Sequence, residues 1–218
     1  MNKNLEKYGV AGIDFTDIST ARGYTYTDNL GGFPTTNLAC LENPFIEQLN
    51  SAKYILDFGC GVGRNLPWIM NHTSAHYVGI DPNKDMLKYF WPVQEAEGHD
   101  ILHWKDRVNL FSSFDEISSD IKFDYVVSTF VMQHLGYRFS TDKKMNLTDI
   151  TNQILTMVND GCIFWLLEHD SEEKWIDRWL EETNIKLDVY IRTYKGLKEL
   201  THRDHATTDG NHLMIFKT

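Results

Sequence analysis

The densest chemical signal in the chain is Asp57-Phe58-Gly59-Cys60-Gly61-Val62-Gly63. It closes a short apolar run that begins at Tyr54. Glycines between a strand and a helix let the backbone turn tightly and come close to a ligand. A second apolar run, His76-Tyr77-Val78-Gly79-Ile80, ends in Asp81, 18 residues beyond Gly63. A carboxylate at the end of that strand can accept hydrogen bonds from both hydroxyls of a ribose. Strand, glycine turn, helix, strand and acid together describe a nucleoside site. The dinucleotide pattern Gly-x-Gly-x-x-Gly, which sets a pyrophosphate on a helix N-terminus, is not met. The third glycine comes one residue early, and Arg64 stands where it would have been.

These residues need elements to position them. A helix is expected from about Gly63, since Pro67 is tolerated only in a first turn. Asp81-Pro82 opens the next helix, with Pro82 suited to its first position. Met86, Leu87, Phe90 and Trp91 recur at helical spacing, and Pro92 is expected to end that helix. Residues 107–111 form a weak strand signal and residues 123–130 a stronger one. Leu147, Ile150, Ile154, Leu155 and Val158 mark one helix face, which Asp160-Gly161 should stop. The nearly wholly apolar run 162–167 then reads as a strand buried on both faces. Asp170-Ser171-Glu172-Glu173 is a capping-box start for a helix carrying Trp175, Ile176, Trp179 and Leu180. Ile185, Leu187, Val189 and Ile191 alternate with polar residues, and 213–216 is the last strand. With no strong helix between them, these two should pair antiparallel around a long loop, about residues 194–211. Such alternation predicts a parallel α/β sheet with helices on both sides, a three-layer αβα doubly wound fold. Residues 1–43 read as an irregular arm and 44–218 as the ligand-binding domain.

Composition narrows the function classes. The 218 residues carry a formal net charge of −10, which repels phosphate backbones and disfavours a nucleic-acid partner. Lys143-Lys144 is the sole basic doublet. Cys40, Cys60 and Cys162 are odd in number and widely spaced, so neither a disulfide framework nor a zinc cluster is indicated. A reducing compartment follows. The N-terminal residues lack a signal-peptide core, no apolar run approaches a membrane span, and the expected location is the cytoplasm.

Leu56-Asp57-Phe58-Gly59-Cys60-Gly61-Val62-Gly63-Arg64-Asn65 resembles the first motif of class I S-adenosylmethionine (SAM)-dependent methyltransferases. Val78-Gly79-Ile80-Asp81 resembles their second motif. Residues 123–128 with Val131-Met132-Gln133-His134-Leu135 resemble their fourth, in its small-molecule form. The resemblance spans about residues 50–170 and implies a seven-stranded sheet with its last strand reversed. It also implies that SAM is the cofactor and S-adenosylhomocysteine (SAH) the product. Gly59 and Gly61, with Asp57, would hold the methionine end, and Asp81 the ribose. Cys60, Pro82 and Met86 join that set. Ser112 and Ser113 would lie near the adenine, although the acid frequent in that turn is missing and Asp115 is the nearest. Ser128 and Thr129 would line the site beneath the sulfonium. The arm would fold over the cofactor as a lid, with Arg22 pairing with the SAM carboxylate and Tyr24 and Tyr26 anchoring the arm.

Methyl transfer from an activated sulfonium asks chiefly for in-line positioning and exclusion of water. A base is required only if the nucleophile must lose a proton. Candidates are His134, past the fourth strand, and Glu168 and His169, past the fifth; Asp170 has a ready role as a helix cap. His202, Asp204, His205 and His212 surround the last long loop without a helical or finger frame, so no metal is expected. Thr129-Phe130-Val131-Met132 lacks the Pro-Pro-aromatic turn of nucleobase amino methylation, which disfavours base flipping. The expected acceptor is a small molecule offering O, N or C. The alternatives are an RNA or protein acceptor, with a basic groove from Arg138, Lys143, Lys144 and Arg203, or a non-catalytic SAM- or nucleoside-binding module. An NAD-linked oxidoreductase is contradicted by Arg64.

Overall fold

The computed structural model describes residues 46–129, 131–132, 147–169, 175–193 and 211–218. In chain order the described elements are helix α1 (Ile46–Ser51), β1 (Tyr54–Phe58), α2 (Leu66–His72), β2 (His76–Ile80), α3 (Lys84–Ala96), β3 (Val108–Phe111) and β4 (Phe123–Thr129). They continue with α4 (Leu147–Leu155), β5 (Val158–His169), α5 (Trp175–Thr183), β6 (Val189–Thr193) and β7 (Asn211–Lys217). The sheet order is β3-β2-β1-β4-β5-β7-β6. The first five strands run parallel, and β7 pairs antiparallel with both β5 and β6. The order reverses at β1, between β2 and β4, which opens a crevice beyond the carboxyl ends of those strands.

Alternation along the strands divides the core. Ile55, Tyr77, Tyr125, Val127, Ile163 and Trp165 join one cluster, together with Leu49 of α1, Leu66, Trp68, Ile69 and Met70 of α2, and Phe90 of α3. Leu56, Phe58, Val78, Val126, Phe164 and Leu166 join the other, with Leu147, Ile150 and Ile154 of α4 and Ile176 and Trp179 of α5. Residues 162–168 of β5 are all buried, as a strand covered on both faces must be.

Several local expectations change. Helix α2 starts at Leu66, three residues after Gly63, with Asn65 as its N-cap residue. Pro82 precedes the cap of α3 rather than opening the helix. Asn83 is the N-cap, and its side-chain oxygen accepts from the N–H groups of Asp85 and Met86. Pro92 lies inside α3, which continues to Ala96 because Phe90, Val93 and Gln94 are buried on either side of it. Asp160-Gly161 does not stop a helix. Helix α4 ends at Leu155, and β5 already runs from Val158. Gly161 has a φ of 80° in a strand whose register shifts between Phe123 and Tyr125 of β4. Its N–H donates to Thr218 O at 3.0 Å, so the irregularity stitches in the chain's last residue. Ile185 and Leu187 precede β6 and pack against the second cluster. The capping-box residues 170–174 lie outside the described residues. Among the described residues no helix is long and apolar enough to cross a membrane.

Candidate functional site

The turn leaving β1 is built on glycines in the left-handed region, with φ of 72° at Gly59, 54° at Gly61 and 87° at Gly63. Each faces a different surrounding. A Cβ on Gly59 would collide with the Val131 side chain, and one on Gly63 would meet the Phe90 ring at 2.7 Å. Gly61 has only Met86 Cε nearby, at 3.9 Å, so the turn opens outward there. The N–H groups of Gly59 and Cys60 donate to Ile80 O at 2.8 and 3.1 Å, tying the turn to the end of β2.

One step on, Gly61 N–H donates to Asp81 Oδ2 at 2.9 Å, and Asn83 N–H donates to Asp81 Oδ1 at 2.8 Å. Each carboxylate oxygen therefore holds one backbone donor and keeps lone-pair capacity for another. Burial pushes the Asp81 carboxyl up to about 6, against the pull of these two bonds. A half-buried carboxylate with spare acceptor capacity, beside a glycine facing open space, fits a ribose diol.

Asp57 is 1% exposed. Its Oδ2 accepts from Tyr77 Oη at 2.6 Å and its Oδ1 from Asn65 Nδ2 at 3.1 Å. Burial raises its carboxyl to about 6, while both bonds favour the anion. Asn65 Nδ2 also donates to Thr129 Oγ1 at 3.3 Å, so one chain of bonds joins β2, β1, the glycine turn and β4. Behind the turn, buried Gln94 of α3 donates through Nε2 to Val62 O at 2.7 Å and Gly63 O at 3.2 Å. At the end of β4, Ser128 Oγ and Val131 N–H both donate to Glu168 Oε1 at 3.2 Å. Ser112 donates through its N–H and Oγ to Glu116, at 3.1 and 2.6 Å. Those bonds hold the Glu116 carboxyl below its usual range. The Cys60 thiol is buried and pushed well up by burial, so it is no ready nucleophile.

The family model described as "Methyltransferase domain" matches residues 56–164, half of the 218-residue chain. The chain belongs to the methyltransferase-domain family. A tRNA U34 carboxymethyltransferase of Idiomarina loihiensis is 25% identical over 180 residues, covering 76% of this chain and 51% of that protein. The chain thus spans about half the length of this curated relative. A SAM dependent methyltransferase from Aquifex aeolicus shares the fold with a TM-score of 0.57 at 12% identity, covering 92% of this chain and 98% of its own. N-methyltransferase NodS from Bradyrhizobium japonicum, solved with SAH, does so with a TM-score of 0.58 at 11% identity, covering 92% and 97%.

In this methyltransferase-family domain Asp57, Gly59, Cys60, Gly61, Asp81, Ser128 and Thr129 gather at the carboxyl ends of β1, β2 and β4. Ser112 and Ser113 follow β3, where Phe114 stacks on Phe58 with ring centroids 5.8 Å apart. Pro82 is exposed, and Met86 is buried against Val62 and Val93. Asp57 and Ser128 reach the turn through other residues, because both are buried and hydrogen-bonded. His169 ends β5, paired in register with Asn211. Arg22, Tyr24, Tyr26 and His134 lie outside the described residues, as do Arg138, Lys143, Lys144 and the loop histidines 202 and 205. Asn65 and Val131 lie inside the quoted motifs without a role assigned there, and Tyr77, Gln94 and Glu116 are partners that the motifs do not single out. Polar or bulky residues on buried stretches of strand and helix were the one signal available for Tyr77 and Gln94.

Proposed function

We propose that this domain binds SAM across the turn 59–63 and Asp81, and transfers its methyl group to an O, N or C nucleophile of a small molecule. The frame in this reading is a three-layer αβα fold with a seven-stranded sheet. The observation that carries it is the Gly61 N–H to Asp81 Oδ2 bond of 2.9 Å, which places the glycine turn and the acid side by side. When bound, SAM supplies a methyl group already activated by a cationic sulfur. The chain's own task is to orient it. Asp81 takes the ribose hydroxyls, and the open backbone at Gly61 receives the methionine end with Gly59 beside it. Ser112 and Ser113 flank the adenine, with Glu116 fixing their turn. Thr129 lines the floor beneath the sulfonium, held by Asn65. Residues 1–43 with Arg22 as a lid, and His134 and His169 as candidate bases, enter from the sequence alone.

The small-molecule acceptor rests on the net charge of −10. The buried free thiols of Cys60 and Cys162 support a reducing, cytoplasmic setting. An RNA acceptor is the second reading, favoured by the tRNA-modifying relative. The test is calorimetry with SAM, SAH and NAD, on wild type and on Asp81→Ala. SAM and SAH should bind and NAD should not. Asp81→Ala should weaken SAM roughly tenfold or more, the worth of a charge-assisted hydrogen bond or two. Unchanged affinity in a folded Asp81→Ala protein removes the ribose assignment.

A further inference from the structure

The end of β4 is tied on both faces of the sheet. On one face Thr129 accepts from Asn65, which also bonds Asp57. On the other, Ser128 donates to Glu168 of β5. Glu168 is 0% exposed, a costly place for a carboxylate without donors. The same Oε1 that takes the Ser128 hydroxyl also takes the backbone N–H of Val131, two residues past the end of β4. The side chain of Val131 in turn lies so close over Gly59 that no other residue type fits at 59. A continuous path therefore runs from the Glu168 carboxylate through the Val131 backbone and side chain to the α-carbon of the cofactor turn.

We propose that Glu168 is a positioning residue that sets the wall of the SAM crevice beside Gly59 by fixing Val131 against it. This role differs from that of a general base, for which a wholly buried carboxylate already occupied by two donors is poorly placed. The proposal rests on the reading that the turn 59–63 holds SAM. Its force comes from rigidity: with the Val131 N–H unpaired, the turn can slide and Gly59 loses its stop.

The test is a double-mutant cycle read by SAH calorimetry, with thermal melting to confirm folding. Glu168→Ala should weaken SAH roughly tenfold, because the Val131 N–H and Ser128 hydroxyl lose their buried acceptor. Glu168→Gln keeps an oxygen at the same reach and should stay within about threefold of wild type. Glu168→Asp keeps the charge but falls one methylene short, and should resemble Glu168→Ala. It carries the cycle if Glu168→Ala fails to fold. Val131→Ala should weaken SAH by itself and add almost nothing to Glu168→Asp or Glu168→Ala, since both act on one contact. Additive losses, or unchanged SAH affinity in folded Glu168→Asp, overturn the proposal while leaving SAM binding intact. Tight SAH binding by wild type with a Glu168→Gln variant as damaged as Glu168→Ala overturns it too. If wild type binds neither SAM nor SAH, the crevice reading itself falls, and this proposal with it.

Discussion

At the scale of single residues, the three turn glycines separate folding from binding. An alanine at any of them adopts a positive φ at a cost of about 1–2 kcal/mol. At Gly61 nothing else opposes it, because the space beyond is open. Gly61→Ala should lower stability by no more than that strain, yet weaken SAM at least tenfold by filling the space its backbone leaves for the cofactor. At Gly63 the added methyl also meets Phe90, so Gly63→Ala should cost about 3 kcal/mol or more in urea unfolding. Equal stability losses in the two variants contradict this assignment of roles. Asp57 and Asp81 make a second pair of expectations, since burial raises both carboxyls to about 6. The folded state then holds protons that an unfolded aspartate has released by about pH 4, so these groups lower stability as pH climbs from about 4 to about 6. Asp57→Asn removes its share. The stability of wild type minus that of Asp57→Asn should fall by roughly 2 kcal/mol across that window and stay level above it. A flat difference from pH 4 to 7 refutes the burial argument. For Asp81 the readout is binding. Affinity for SAM should decline as pH drops through about 6, where the carboxylate loses an acceptor oxygen, and Asp81→Asn should show no such decline.

At the scale of elements, helix α3 shows tertiary packing overriding a local rule. Pro92 is exposed and leaves the Lys88 carbonyl without its donor four residues on. The helix continues because Phe90, Val93 and Gln94 bury themselves on the glycine turn and the core. Pro92→Ala restores the missing N–H and should raise stability by about 1–3 kcal/mol, read as a higher urea midpoint with unchanged slope. No gain would mean that the proline ring packs favourably where it stands. Gln94→Ala should act oppositely, stranding the buried carbonyl of Val62 and leaving Gly63 O with the Leu66 N–H as its remaining donor, at a cost of about 1–3 kcal/mol and with looser SAM binding as the turn relaxes. Much of the frame was legible in the sequence for simple reasons. The run 76–80 is apolar, short and bounded by turn residues, and β2 has those bounds. The pairing of the last two strands followed from the missing helix between them, and β6 and β7 are antiparallel. Two of the misreadings share one cause. Pro92 and Asp160-Gly161 are strong local stop signals, and in both places distant contacts outweigh them: the glycine turn at α3, and Thr218 at β5. The site divides the same way. Gly59, Gly61 and Asp81 carry their roles in their own types. Tyr77, Asn65, Gln94 and Val131 acquire theirs only when four elements meet.

At the scale of the whole molecule, the question is which acceptor reaches the crevice. With a net charge of −10, any polyanion approaches against a repulsive field, and the penalty grows as salt is removed. A protein that neutralises nucleic-acid phosphates behaves oppositely. Its affinity climbs steeply as salt falls, by roughly one power of salt concentration for each phosphate contact. The two acceptor readings therefore differ in the sign of a salt effect, and not merely in what is labelled. With methyl-labelled SAM and a cell extract as acceptor source, a small-molecule acceptor places label in the acid-soluble fraction. That label should survive ribonuclease pretreatment, and its rate should change less than about twofold between 50 and 200 mM salt. A tRNA acceptor places label in the acid-precipitable fraction, abolishes it with ribonuclease, and slows turnover severalfold or more over the same range. The local field at the crevice is acidic, since Asp81 stands at the glycine turn and the buried Asp57 lies behind it. This favours an acceptor that is neutral or cationic before attack. The sulfonium is itself a cation, and an acidic surround would help to hold it; transfer would leave a neutral thioether, with the positive charge taken up by a neutral nucleophile together with the methyl group.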